Sequence, residues 1–217
     1  MFEHFTQARE PINSYTHFIG ACLGVLGTCI LILYCIARGK TEPSSVIGAL
    51  VFGFSLIALY SASSVYHYVK GNAKTINRLR KLDHGMIFVL IAGTYTPLCL
   101  RFMEPRNSII FLSAIWSVAV LGNIIKQFWL SAPRWLSTLL YLIMGWAILF
   151  DFSSFKSIPL PCLSLIAAGG VSYSVGAVIY ALKKPNLSNQ LGFHEIFHIF
   201  VILGSVLHFI AIFIFVI

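Results

Sequence analysis

A chain of 217 residues ordinarily makes one or two soluble domains, but here 58% of the residues are hydrophobic and only 10% charged, against about 25% charged in an average soluble protein. With a mean hydropathy of +0.86 there is too little polar surface to cover a water-soluble globule, which excludes a soluble enzyme, a disordered tail and a secreted disulfide scaffold. The net charge of +8 does not imply a nucleic-acid partner, because all 15 Lys and Arg residues lie between the long apolar runs, where membrane topology puts them.

The N-terminal stretch Met1–Pro11 carries Glu3, His4, Arg9 and Glu10 and has no short apolar core before a small-residue cleavage site, so no cleavable signal peptide is expected. Seven apolar runs follow, each near the roughly 20 residues a spanning helix needs. They are Tyr15–Ala37, Ser44–Tyr68, His84–Leu100, Ser108–Ile125, Trp135–Phe150, Ile158–Leu182 and Phe193–Ile217. The fifth is the shortest, although Ser131-Ala132-Pro133 marks a helix start before it. Pro97 falls inside the third run, where a distortion is tolerated if neighbours satisfy the freed carbonyl. Gly20, Gly24 and Gly27 in the first run read as a close-packing face. Cys22, Cys29, Cys35, Cys99 and Cys162 show no CxxC spacing and read as small apolar residues. The predicted fold is therefore all-α: one integral membrane domain, a seven-transmembrane helix bundle spanning residues 1–217.

Seven crossings put the termini on opposite sides. With the N-terminus inside, the inner segments hold ten basic residues: Arg9, Lys70, Lys74, Arg78, Arg80, Lys81, Lys126, Arg134, Lys183 and Lys184. The outer segments hold five. The positive-inside rule then selects N-in and C-out.

This alternation brings several costly polar residues to one leaflet. His67 closes the second run, Asp83 and His84 open the third, and His194 and His198 open the seventh, all at the inner side. The topology rests on the Lys and Arg residues and is independent of these His and Asp positions. Ionisable groups in a span are functional candidates by default. His194 and His198 are four residues apart and share a helix face, as do Ser63 and His67. Three neutral histidines with one open position form the ligand set of a catalytic zinc site, and zinc lowers the pKa of a bound water to about 7. On this reading His67, His194 and His198 hold zinc, Asp83 orients or deprotonates the attacking water, and Ser63 hydrogen-bonds the water or a substrate oxygen. A buried hydrogen-bonded polar cluster is the plainer alternative.

Four separated motifs, in order, carry a resemblance. Glu10-Pro-Ile-Asn13-Ser-Tyr-Thr-His17, Ser63-Ser-Val-Tyr-His67, Lys81-Leu-Asp83-His84-Gly85 and Phe193-His194-Glu-Ile-Phe-His198 resemble the hemolysin III family, the bacterial branch of the progestin and adiponectin receptor proteins. The resemblance runs the length of the chain. It implies a seven-helix membrane fold with zinc near the cytoplasmic face, ligands His67, His194 and His198, Asp83 holding the water, and Ser63 in the same site. The wider superfamily is similar to alkaline ceramidases, which implies hydrolysis of a lipid amide. The expected activity is hydrolysis of a membrane lipid at an amide or ester bond in a bacterial plasma (inner) membrane, the lipid reaching the site from the inner leaflet. Membrane lipids are then the expected partners, and membrane homeostasis the expected role.

Other classes compete. His194-Glu195-Ile-Phe-His198 spells HExxH, the metalloprotease helix in which Glu is the base; a helix N-terminal carboxylate favoured by the macrodipole is the plainer role for Glu195. A pore-forming, haemolytic activity lacks the polar surface of a soluble toxin. A transporter needs polar residues at several depths, whereas these crowd one leaflet, with Asn123 joining them. A receptor-like protein with a structural zinc stapling helices together stays open. His208 lies ten residues past His198, about 15 Å deeper, and reads as a packing hydrogen-bonder. His17 and Asn13 read as capping and anchoring residues or as supports of the site. His84 reads as interfacial, and Lys70–Lys81 as topology anchoring or headgroup recruitment.

Overall fold

The computed structural model describes residues 2–129, 133–188 and 191–217. Among them there are helices and turns and no strand. In chain order the helices are α1 (Phe2–Phe5), α2 (Pro11–Ala37), α3 (Pro43–Tyr68), α4 (Ala73–Phe102), α5 (Pro105–Phe128), α6 (Arg134–Gly145), α7 (Leu160–Leu182) and α8 (Phe193–Phe215), with single 3₁₀ turns at Ala147–Leu149 and Phe152–Phe155. Proline sits in the first turn of α2, α3, α5 and α7, where its missing N–H leaves nothing unpaired and its fixed φ suits the helix. Asn72 caps α4, its side chain accepting from the Thr75 N–H at 2.9 Å. Of the expected start signal before α6, Ser131 and Ala132 lie outside the described residues, and Pro133 directly precedes the helix.

Six helices, α2 to α5, α7 and α8, are long and apolar enough to cross a membrane. The shortest of them, at 23 residues, reaches about 35 Å against about 30 Å of hydrocarbon. Their outward faces explain why water cannot be the solvent. Leu23, Leu26 and Leu33 on α2, and Ile109, Ile110 and Leu121 on α5, are each more than half exposed, a continuous apolar coat of the kind only lipid covers. The protein is an all-α, multi-pass membrane protein.

Two of the expected runs differ from what forms. The third begins as helix at Ala73, eleven residues before His84, because the Lys and Arg residues of this stretch are good helix formers that a hydropathy reading discards. The fifth is interrupted: α6 has 12 residues, about 18 Å, and stops at Gly145. There the Tyr95 hydroxyl donates to Gly145 O at 2.7 Å and accepts from the Ile148 N–H at 3.1 Å, taking the place of helical backbone partners. The chain nevertheless continues in the same direction. α6 starts beside the end of α5, where the Lys126 ammonium bonds Ser137. The second 3₁₀ turn ends beside the start of α5, where Asn107 donates to Ser154 at 3.3 Å and Ser157 donates to Phe102 O at 2.6 Å.

The helices form a closed circuit, α2–α3–α4–α6–α7–α8 and back to α2, with α5 against the outside of α4. Leu31, Phe52, Leu56, Leu98 and Ile212 fill one core between α2, α3, α4 and α8. Phe88, Tyr95, Met144, Phe155 and Cys162 fill a second, between α4 and the α6–α7 side. On α2 the glycine face is used for close approach: a β-carbon at Gly20 would stand 2.7 Å from the Tyr60 ring, and one at Gly27 2.8 Å from Phe209. α4 continues through Pro97, against which Gly48 of α3 lies.

Candidate metal centre

The end of the circuit where α3 finishes and α8 starts collects the polar residues. His67 is the penultimate residue of α3; His194 and His198 occupy the first two turns of α8. Their imidazole rings form a nearly equilateral triangle, with centroids 5.0 Å, 5.0 Å and 4.9 Å apart. One ring nitrogen of each lies within 4.8 Å of those of the other two. Zn–N bonds of about 2.0–2.1 Å at tetrahedral angles require donors about 3.3 Å apart, so small ring rotations bring the trio onto one ion.

The donor chemistry fits as well as the spacing. His67 is fully buried, and its Nδ1 donates to the Glu10 carboxylate. That bond fixes the tautomer and leaves Nε2 as the free acceptor, the arrangement common to metal-binding imidazoles. Among the described residues, Nε2 of His67 and Nδ1 of His198 are both buried with no hydrogen-bond partner, a state that costs free energy unless something binds them. The three histidines therefore form a group able to hold a metal ion. Glu10 stands just outside the first long helix. Burial raises its pKa, but the hydrogen bond from His67 and the Arg9 guanidinium outweigh that and hold it below the usual carboxylate range. It is a carboxylate at neutral pH.

Glu10 is the functional residue that residue-by-residue sequence reading missed. Its partner lies 57 positions away, beyond any helical spacing, and the one signal in the sequence is its place at the head of the first motif.

Asp83 and Ser63 face the same interior. Asp83 is buried on α4, within side-chain reach of the Ser63 hydroxyl, and lies outside the trio of donor atoms. Its Oδ2 accepts from His84 Nδ1 at 3.2 Å; with that tautomer His84 Nε2 accepts from the Tyr180 hydroxyl at 3.3 Å. His84 thus orients the carboxylate and touches no ligand nitrogen. Asp83, Ser63, His194 and His198 all line one internal cavity of about 360 Å³, and His67 stands behind them. Away from this end the walls become apolar, through Leu90, Leu98, Leu149, Phe152 and Leu163.

The remaining candidates have places too. Glu195 is engaged away from the trio: it accepts from Asn13 at 2.7 Å and from the Gly192 N–H at 2.9 Å, capping α8 and tying it to α2. His17 stacks on His198, centroids 3.6 Å apart, and packs edge-on against Tyr60, so Asn13 and His17 both brace the ligand-bearing helix. Asn123 donates to Gly85 O and Ala119 O. His208 bonds Gly204 O at 2.8 Å and stacks on Tyr173, deep in the bundle.

A multi-helix membrane protein with three imidazoles converging on one buried point, backed by a carboxylate and opening on a cavity, defines the class. Sequence comparison then supplies the family. Residues 5–209 match the family model described as Haemolysin-III related. The chain is 34% identical over 202 residues to the Hemolysin-3 homolog of Bacillus subtilis (strain 168), covering 93% of this chain and 91% of that one. It is 35% identical over 204 residues to the Hemolysin-3 of Bacillus cereus, covering 94% and 90%. It is also 27% identical over 229 residues to the Homo sapiens Monocyte to macrophage differentiation factor, covering 97% and 91%. The chain belongs to the haemolysin III family, as its four motifs indicated.

Proposed function

We propose that the protein is a zinc-dependent hydrolase of a membrane lipid, cutting an amide or ester bond. One observation carries the reading: two of the three histidines, with Asp83 and Ser63, line a cavity whose far walls are apolar. A purely structural metal site is closed by its ligands, whereas a catalytic one keeps a position open. Zinc bound by His67, His194 and His198 would supply acidification of water and polarisation of a carbonyl.

The chain's own groups do the rest. Asp83, held by His84, orients the attacking water and accepts its proton. Ser63 donates a hydrogen bond to that water or to the oxyanion developing on the acyl carbon. Hydrolysis adds hydroxyl to the acyl carbon and returns a proton to the departing nitrogen or oxygen. Leu90, Leu98, Leu149 and Phe152 take up the hydrocarbon tail and exclude water.

In this proposal the six long helices and the interrupted segment from Arg134 to Phe155 make seven crossings of a bacterial plasma membrane, N-in and C-out. The site faces the inner leaflet, from which the lipid enters. The reading also accommodates the hemolysin names of the relatives, since altered lipid composition weakens a membrane without a dedicated pore.

Elemental analysis of detergent-purified protein tests it. The expected result is one zinc per chain in the wild type, lost in His194→Ala and kept in Asp83→Ala, with lipid hydrolysis by wild type and none by Asp83→Ala. Wild-type protein prepared without chelator and free of metal would overturn the proposal. Metal present in full but no turnover on any lipid amide or ester would leave the structural-zinc reading in its place.

A further inference from the structure

Three basic side chains line the same cavity as the histidines: Arg80, Lys126 and Arg134. Among the described residues none of them forms an ion pair; the ion pairs at this end involve Arg9, Glu10, His67, Asp83 and His84. Topology alone places Lys and Arg near the inner ends of spanning helices, but such residues extend their charged heads outward to water and headgroups. Lys126 does the opposite. It is only 5% exposed, and its ammonium is turned inward to the hydroxyl of Ser137, another cavity residue.

Arg134 lies one turn before Ser137 on α6. Its guanidinium covers the Tyr180 ring at 5.2 Å and the Phe193 ring at 6.0 Å, and its Nη1 is inaccessible and, among the described residues, without a hydrogen-bond partner. Arg80 lies one turn before Asp83 on α4, and the next residue, Lys81, bonds Gln127 O, next to Lys126. Three helices thus direct cations into one space, together offering more N–H donors than the described residues around them accept. A buried, unpaired cation is expensive, and a phosphate group, with several acceptor oxygens and negative charge, matches two guanidinium groups and an ammonium.

We propose that Arg80, Lys126 and Arg134 form a phosphate cradle at the polar end of the cavity, so that the lipid it accepts carries an anionic phosphate headgroup. As a statement about substrate, this rests on the lipid-hydrolase reading; as a statement about binding, it stands apart from it. With phosphate on the cradle and tail among Leu90, Leu98 and Leu149, an acyl linkage between the two falls beside Asp83, which Tyr180 joins to the cradle through His84.

The test is lipid binding by full-length protein in a neutral detergent, read by native mass spectrometry and by melting temperature. The probes are phosphatidylglycerol, diacylglycerol with the same tails, and inorganic phosphate alone. Wild type is expected to prefer phosphatidylglycerol over diacylglycerol by at least about tenfold, the scale of one charge-assisted hydrogen bond. Lys126→Met and Arg134→Gln should each abolish most of that preference, while Lys184→Gln, an exposed basic residue outside the cavity, should keep it. Arg134 is only half-buried, so its variant keeps the test decisive should Lys126→Met fail to fold.

Equal binding of the two lipids would overturn the proposal, as would the same loss in Lys184→Gln. Stabilisation by inorganic phosphate with no lipid preference would overturn it in favour of a free-anion site. The measurement is repeated on Asp83→Asn protein stripped of metal. A preference that persists there, in a protein whose wild type hydrolyses nothing, retains the cradle and removes the hydrolase; turnover without the preference does the reverse.

Discussion

At the scale of single residues, the contact between Glu10 and His67 couples the segment before α2 to the end of α3, and the chemistry of one imidazole depends on it. The carboxylate holds the Nδ1 proton, so Nε2 stays available inside the bundle. Glu10→Gln keeps the size and loses the charge. The expected outcome is a metal affinity lower by about 10- to 100-fold, measured by chelator competition, with the helical content unchanged by circular dichroism; unchanged affinity would mean that Glu10 only pins the N-terminal segment. The three histidines are legible in the sequence itself, because alternation of spans and a four-residue spacing each act locally. Glu10 is not, because its role follows from a backbone turn that pairs the Arg9 and Glu10 N–H groups with Tyr68 O and His67 O. Glu195 shows the converse. Its HExxH spelling points toward the metal, while its oxygens accept from Asn13 and Gly192, the helix-start role that macrodipole physics favours.

Among the elements, the interrupted α6 is the most instructive. Hydropathy follows side-chain transfer energies and sees an apolar run; it carries no record of where a hydroxyl from another helix replaces the backbone ladder. Tyr95 does that from α4, serving Gly145 O and Ile148 N–H at once. In Tyr95→Phe both backbone groups lose their partner, the Ile148 N–H in a buried setting and the Gly145 carbonyl at an exposed residue. Each buried unsatisfied group costs about 1–3 kcal/mol, so the variant should melt several degrees lower in detergent, and a melting temperature equal to wild type would show that α6 closes its own ladder. The unforeseen start of α4 has the opposite origin. Its first turns, rich in Lys and Arg, have high helix propensity and low hydropathy, and only the second property is visible to a search for spans. The other long, uninterrupted helices are legible to within a few residues, the starts of three marked by Pro11, Pro43 and Pro105.

For the whole molecule, the number of crossings decides on which side each terminus lies. If the segment from Arg134 to Phe155 completes a crossing, the C-terminus after α8 lies opposite Glu10. A reporter enzyme active only outside the cytoplasm, fused after Ile217, should then be active, and a fluorescent protein that matures only inside should stay dark. The reverse pair of signals would remove one crossing, and α6 with its two turns would be the segment to reassign. The charge distribution points to this orientation, but the circuit itself is not legible in the sequence. Which helices touch depends on glycine faces and side-chain shapes across 100 or more residues of separation, as between Gly27 and Phe209.

The position of the histidines along the chain has a consequence for biogenesis. His67 leaves the ribosome 127 residues ahead of His194, which at about 5–20 residues per second is roughly 6 to 25 seconds. Throughout that interval the His67 imidazole is without the two histidines of α8. A chain truncated just before α8 keeps five of the six long helices and only one imidazole of the trio. Under the proposed metal-binding reading, loading of the ion then separates finished molecules from stalled ones at the very end of synthesis.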